Sequence, residues 1–447
     1  MPAHDPRAFL ESLYAAALAA VEPGAAVARA LEAEPLPPGR VHLLALGKAA
    51  TPMARAALAA LAAAPAAGSA QLAGGLVVAP AAADHPGDAA PAARPSPATL
   101  PVVWGDHPVP GSASLAAAAA LAEAVAAIAP GDDVLVLLSG GASSLVGAPA
   151  DGVAPDDYRA LWELLLRSGL DIGAMNTVRK RVSRWGAGRL AAAARGAREI
   201  RVLVVSDVPG DALAAIGSGP CVPDAATAAD VRAILERRDL WRATPASVRA
   251  VLEATRRDVR LETPKPGDAA FARVRHRVIA NNRVALAGAA AAALRAGHEA
   301  ELAPTPLAGE AREVGAALAR ELLAAPSGRC LLWGGETTVM LPAGAPPGGR
   351  CQELALAAAR VLAEAAPERA RGLVLLAAGT DGRDGPTDAA GAVVDPTTWR
   401  RIAAAGRDPA HALATHASHA ALEAAHALLR PGPTGTNVMD VVLGARD

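Results

Sequence analysis

The sequence predicts an α/β protein of two domains, each with a mostly parallel sheet flanked by helices. Two observations carry this. Short, almost uninterrupted apolar runs recur, the mark of strands buried on both faces: Val41-His-Leu-Leu-Ala-Leu46, Val134-Leu-Val-Leu-Leu138, Arg201-Val-Leu-Val-Val205, Cys330-Leu-Leu-Trp333 and Leu373-Val-Leu-Leu-Ala-Ala378. Each run empties into small and polar residues, and Ala-rich stretches such as 116–120 and 289–293 supply helices of strong intrinsic propensity. Ligands of open α/β sheets sit at the carboxyl ends of strands, and these loops are richer in polar groups than folding requires.

In chain order, residues 10–30 read as one amphipathic opening helix, and residues 41–210 alternate strand and helix signals as a doubly wound sheet does. Residues 81–101 are rich in Pro, Ala and Gly without periodicity, and read as a surface excursion. A long helical region, Asp224 to Arg257, and then Leu261-Glu-Thr-Pro-Lys-Pro-Gly267 read as the connection to a second α/β unit, whose first strand lies near Val278-Ile-Ala-Asn-Asn282. The expected domains are 1–262 and 263–447.

Composition narrows the function classes. A chain of 447 residues with 52% hydrophobic residues can fill two or three cores. A formal net charge of -1 gives no nucleic-acid footprint, and only 2% aromatic residues argue against base stacking. Cys221, Cys330 and Cys351 have no disulfide or metal-site spacing, as expected of a reduced cytoplasm. The first residues lead into a helical pattern, not a signal core, and the apolar runs are far shorter than the roughly 20 residues a bilayer needs. The expectation is a cytoplasmic enzyme with small-molecule partners, no nucleic acid and no membrane; a homodimer is left open.

The loops carry the chemistry. Ser139-Gly140-Gly141-Ala142-Ser143-Ser144 offers hydroxyls and unobstructed amides just before a helix start, the form of a phosphate cradle. Lys48 stands directly at a strand end, where an ammonium can meet a transferring phosphoryl group or a carboxylate; it is not part of a Walker A motif, because His42 stands where the first glycine belongs. Gly379-Thr-Asp-Gly-Arg-Asp-Gly-Pro-Thr-Asp-Ala-Ala-Gly391 presents Asp381, Asp384 and Asp388 among four glycines, more than a single solvated turn accounts for. Arg350 follows two glycines at a helix start, placed to fork onto a carboxylate or phosphate. Phosphoryl transfer needs a metal on carboxylates and cations against developing charge; Asp207, Glu336 and Asp381 are the candidate metal ligands, Asp384 a substrate contact, and Asn282 a nucleotide contact.

In order and spacing, Gly47-Lys-Ala-Ala50, Gly105-Asp-His-Pro-Val-Pro110, Leu138-Ser-Gly-Gly-Ala-Ser-Ser144, Ser206-Asp-Val-Pro-Gly-Asp211, Gly217-Ser-Gly-Pro220, Gly334-Gly-Glu-Thr-Thr338, Gly379-Thr-Asp-Gly-Arg-Asp-Gly-Pro386 and Pro433-Thr-Gly-Thr-Asn-Val438 resemble the glycerate 2-kinase family, with its C-terminal MOFRL segment. The resemblance spans nearly the whole chain. It implies ATP-dependent phosphorylation of D-glycerate at the 2-hydroxyl with Mg²⁺, and an active site in a cleft between a Rossmann-like N-terminal domain and a MOFRL-type C-terminal domain. It also implies that Lys48 and Arg350 are the catalytic lysine and arginine, both in contact with substrate. The family usually has Asn after the arginine, where this chain has Cys351, so substrate preference is the property this departure touches.

The rival expectation is a hydroxypyruvate reductase using NADH or NADPH, because members of the family have carried that label. A dinucleotide fold needs Gly-x-Gly-x-x-Gly/Ala directly after a strand. Gly186-Ala-Gly-Arg-Leu-Ala191 has the spacing but follows the basic, helical segment 176–185.

Overall fold

The computed structural model describes residues 5–63, 69–81, 100–342 and 344–446. Most of the surface excursion expected at 81–101 lies outside them. Two compact units form: Pro23–Ile279, called the first unit below, and Ala280–Asp447 together with Met1–Glu22, the second. The expected division after residue 262 therefore falls inside the first unit, and the opening segment belongs with the C-terminal half.

The opening helix is two helices, Pro6–Ala20 and Pro23–Ala33. Pro23 has no N–H to continue the ladder, and a residue preceding proline is pushed away from helical backbone angles, so the chain breaks at the point where the two units part. The region 224–257 is likewise split into Ala228–Arg237 and Ala246–Arg257, the second helix starting after Pro245.

The first unit holds a six-stranded sheet in the order β3-β2-β1-β4-β5-β6. Its strands are β1 (Gly39–Leu46), β2 (Ala70–Pro80), β3 (Val102–Gly105), β4 (Asp133–Leu138), β5 (Glu199–Val205) and β6 (Val274–Ala280). Pairing is parallel from β3 through β5, and β4 is buried along its full length, as both-face burial demands. The strand expected to open the second domain near Val278 is β6, an edge strand of this first sheet; its alternating burial differs from the continuous burial of the central strands.

The second unit holds β7 (Glu299–Leu302), β8 (Arg329–Gly335), β9 (Leu373–Gly379), β10 (Gly391–Val394), β11 (Leu428–Leu429) and β12 (Asp440–Arg446), ordered β11-β10-β9-β12-β8-β7. This sheet is mixed, not mostly parallel: β7 and β8 are parallel, while β12 runs antiparallel between β8 and β9, and β10 antiparallel to both β9 and β11. The physical reason is access. The chain reaches β12 at the end where β8 and β9 finish, and an antiparallel strand can enter there without a crossover helix. Asp440 is thereby set opposite Gly335 and Gly379, amid the polar loops.

Candidate active site

In the first sheet the strand order reverses between β1 and β4, the position where doubly wound sheets open a ligand crevice. The loops leaving these strands carry Lys48 and Ser139–Ser144. They are laced together: the Lys48 N–H donates to the Gly140 carbonyl at 2.9 Å, and the Ala49 N–H to Ser139 Oγ at 3.0 Å. Gly47 has φ 126°, and a Cβ there would fall 2.3 Å from Ser139 Oγ. Glycine is what permits this approach.

Around Gly140 and Gly141 three side chains close in. A Cβ on Gly140 would lie 2.0 Å from Asp207 Oδ2, and one on Gly141 would lie 3.1 Å from Lys48 Cγ and 3.2 Å from His107 Cδ2. Among the described residues, the N–H groups of residues 140–143 donate to no protein acceptor, and the short helix Ala142–Leu145 begins there. Ser143 and Ser218 share a hydroxyl–hydroxyl hydrogen bond of 2.7 Å, and the Ser144 hydroxyl donates to the Gly141 carbonyl at 3.0 Å. Burial raises the carboxyl pKa of Asp207, and the charge of Lys48 opposes that rise. A cradle of donors, a cation and a desolvated carboxylate thus meet at one strand-end crevice.

In the second unit, the helix Arg350–Glu364 begins at Arg350, whose guanidinium is held by two carboxylates. Nε and Nη2 donate to Asp440 at 2.6 and 2.9 Å, and Nη1 lies 2.6 Å from Glu336 Oε1. Burial works against the charge on Arg350, but the hydrogen bond and charge of Asp440, joined by Glu336, overcome it and raise its pKa. Asp384, 3% exposed, accepts from the N–H groups of Cys351 at 3.2 Å and Gln352 at 2.8 Å, and from Gln352 Nε2 at 3.1 Å. It caps the helix that Arg350 begins, a task Gly349 cannot perform. Burial pushes the Asp384 carboxyl up to about 6, against the pull of those N–H donors and with the charge of Asp440 adding to it.

A cavity of about 460 Å³ adjoins Arg350, lined among others by Glu336, Thr337, Val339, Pro346, Asp384 and His416. In its wall His416 Nδ1 stands 2.9 Å from Glu353 Oε2, and Arg312 Nη2 lies 2.9 Å from Glu353 Oε1. Cys351 is buried and its thiol pKa raised, chiefly by burial.

The structure brings Lys48, Asp207 and residues 139–144 together in the first unit, and Glu336, Arg350 and Asp384 in the second. Asp381 is exposed, and its Oδ1 accepts the Arg383 N–H at 2.9 Å. Asn282 is buried, its amide donating to the carbonyls of Val438 at 2.9 Å and Asp440 at 2.8 Å, so that it seats β12. Among the described residues no three His, Cys, Asp or Glu side chains gather as a metal cage; Asp207 belongs to the first unit, Glu336 and Asp381 to the second.

Sequence reasoning missed Asp440, at Arg350, and Tyr14, at Gly379. Asp440 starts the last apolar run, Val441-Val-Leu443, but at its amino end, where a rule for parallel strands does not look. Tyr14, 426 positions from Asp440 in the chain numbering, donates its hydroxyl to the Gly379 carbonyl at 2.7 Å; burial, then the charges of Cys351, Asp381 and Asp440, raise its pKa. No local pattern announces such a long-range contact.

Comparison with known proteins gives matching results. A family described as "Domain of unknown function (DUF4147)" matches residues 9–253, and the MOFRL family matches residues 329–440. A protein of Pyrococcus horikoshii called glycerate 2-kinase is 35% identical over 414 residues, 91% of this chain and 87% of the relative. One from Agrobacterium vitis called putative hydroxypyruvate reductase is 39% identical over 445 residues, covering 97% and 93%. The crystal structure of a glycerate kinase from Thermotoga maritima superposes with a TM-score of 0.84 at 35% identity, covering 98% of this chain and 99% of the other.

Proposed function

Because the chain belongs to the glycerate 2-kinase family that joins the DUF4147 and MOFRL segments, we propose that it is an ATP-dependent kinase converting D-glycerate to 2-phosphoglycerate and ADP. The observation that carries this reading is the grouping of Lys48 and Asp207 around the Gly140–Gly141 cradle at the reversal of strand order. In the reaction the 2-hydroxyl oxygen bonds to the γ-phosphorus as the bond to the β,γ-bridging oxygen breaks, and the hydroxyl proton leaves. Such a transfer rests on positioning and electrostatic stabilisation more than on covalent chemistry by the protein.

In this reading the amides of residues 140–143 and the hydroxyls of Ser139 and Ser143 hold nucleotide phosphates, Ser144 shapes the loop through its bond to the Gly141 carbonyl, and Lys48 offsets the charge on the transferring group. Arg350 anchors the glycerate carboxylate. Of its five N–H donors, three are engaged by Asp440 and Glu336, so the guanidinium is fixed while two donors are left for substrate. Asp384 serves the substrate through the helix end it caps, and Asn282 through the seating of Asp440.

Magnesium ion is compatible with the residues at the first cradle. It needs one or two carboxylates beside substrate phosphates, not a protein cage, and Asp207 is a largely buried carboxylate next to a phosphate-type cradle. When bound, the ion would neutralise phosphate charge. Glu336 is engaged by Arg350, and Asp381 is the more solvated alternative. A cytoplasmic location is part of the same reading, supported by three buried cysteines that are not joined in disulfides.

The test is product analysis. Purified protein with D-glycerate, ATP and Mg²⁺ is expected to form ADP and 2-phosphoglycerate. Oxidation of NADH or NADPH by hydroxypyruvate, without ADP formation in the first assay, would overturn the reading. The structure does not favour that rival: Gly186-Ala-Gly-Arg-Leu-Ala191 follows the helix Ile172–Arg181 and opens the five-residue helix Arg189–Ala193, with no strand of the sheet before it.

A further inference from the structure

Four polar atoms in the helical layer of the first unit are buried with no hydrogen-bond partner among the described residues: Tyr158 Oη, Trp162 Nε1, and Nε and Nη2 of Arg179. They are neighbours. Tyr158 and Trp162 lie one turn apart on the helix Pro155–Leu166, with ring centroids 6.2 Å apart and edge-on, and the Arg179 guanidinium lies 4.1 Å from the Trp162 ring centroid. Their exposures are 2% for Tyr158, 4% for Trp162 and 7% for Arg179. Trp162 and Ser183 both face the Tyr158 oxygen, yet neither reaches hydrogen-bond geometry.

A buried donor left unmet costs about 1–3 kcal/mol, which is why such groups are rare in folded proteins. Three of these four atoms can only donate, so the cluster calls for an acceptor. Among the described residues no carboxylate supplies one. Asp224 is taken by Lys180 and Arg181, and Glu262 by Arg181 and Lys265. Burial lowers the pKa of Arg179. The carboxyl end of its helix and the ring of Trp162 offset part of the positive charge, but they accept none of these N–H bonds.

We propose that Arg179, Trp162 and Tyr158 form a buried site for one small inorganic anion of halide size. One guanidinium sets the charge at minus one, and Tyr158 and Trp162 belong to a cluster of buried apolar residues that includes Leu161, Leu165, Val178 and Val182. Bound there, the anion ties Arg179, in the last turn of the helix Ile172–Arg181, to Trp162 on the helix Pro155–Leu166. The segment after that helix pairs with the one that follows the phosphate-type loop: the Ala150 N–H donates to the Val182 carbonyl at 2.7 Å, and the Arg184 N–H to the Ala148 carbonyl at 2.9 Å. The anion therefore supports the platform behind residues 139–144. None of this needs the kinase reading.

The test is melting temperature against sodium bromide, with methanesulfonate keeping ionic strength constant. The intact protein is expected to gain stability saturably with bromide, as linkage to a folded-state ligand requires. Arg179→Met, which keeps the stem and removes the charge, should lose that response. Trp162→Phe, which keeps the ring and removes the N–H, should need several-fold more bromide for half of the effect, and it decides the matter if the first variant does not fold. A bromide-soaked crystal should show anomalous scattering in contact with the Arg179 guanidinium. Equal melting in bromide and methanesulfonate, an unchanged response in both variants, or no bromide at Arg179 would overturn the proposal.

Discussion

Asp440 holds Arg350 by two parallel hydrogen bonds, Nε to Oδ2 at 2.6 Å and Nη2 to Oδ1 at 2.9 Å. The Asp440 side chain is 5% exposed and that of Arg350 36%, so a rigid carboxylate orients a guanidinium that still reaches solvent. A fork of this kind fixes direction as well as charge.

Removing the fork is therefore expected to act on catalysis more than on folding. Asp440→Ala should lower kcat/KM for D-glycerate by roughly 10²-fold, the order expected when positioning of a reacting group is lost. Circular dichroism should remain that of the intact protein. Asn282→Ala, which frees the carbonyls of Val438 and Asp440, should show a smaller loss in the same direction. Steady-state kinetics on both variants would check this, and an Asp440→Ala enzyme of normal kcat/KM would remove Asp440 from the site.

Lys48→Ala should abolish kinase turnover while leaving the melting temperature close to that of the intact chain, because the lysine makes no salt bridge among the described residues. Gly140→Ala tests the same crevice by geometry. Its new Cβ would fall 2.0 Å from Asp207 Oδ2, so Asp207 or the loop must move. A fall in activity with a fold that still melts cooperatively is expected; full activity would show that the Asp207 position is immaterial.

The Asp384 pKa, pushed up to about 6 by burial, has a definite sign for stability. A carboxyl that binds its proton more tightly when folded contributes stability below its unfolded pKa, near 4, and loses that contribution as pH rises toward 6. Urea unfolding between pH 4 and 7 should show this downward contribution with rising pH in the intact protein. Asp384→Asn should lack it. Activity should run the opposite way, because only the ionised carboxylate accepts both the Cys351 and Gln352 N–H groups: turnover should fall below about pH 6. An acid limb unchanged in Asp384→Asn would refute the assignment.

The N-terminal helix should matter to the C-terminal half. Arg7 donates to the carbonyls of His426 and Leu428 at 2.8 and 2.9 Å, Tyr14 to that of Gly379, and Thr436 Oγ1 to that of Val21 at 3.0 Å. A chain beginning at Pro23 should show faster hydrogen exchange in β9 and β12 than in β1 and β4. Tyr14→Phe should cost about 1 kcal/mol, the usual net worth of one hydrogen bond. Equal exchange in both sheets would contradict the division into units.

The sequence by itself determined the α/β class and the strand-to-loop grammar, because burial on both faces forces continuous apolar runs and a ligand site forces small polar residues after them. It also singled out Lys48, the Ser139–Ser144 loop and Arg350 as candidates, whose signals are local: a residue type directly at the end of a recognisable element. Tertiary structure alone decided where the units divide, that β12 enters its sheet antiparallel between β8 and β9, and that Asp440 and Tyr14 stand beside the loops of Arg350 and Gly379. Those are choices among pairings of distant segments, and antiparallel and parallel insertion present the same apolar run to the sheet. It also decided which groups each carboxylate touches. Asp384 reads in the sequence as a substrate contact on an acidic loop, but its oxygens accept from the amides of a helix that begins 34 residues earlier, at Arg350; only packing reveals a capping carboxylate.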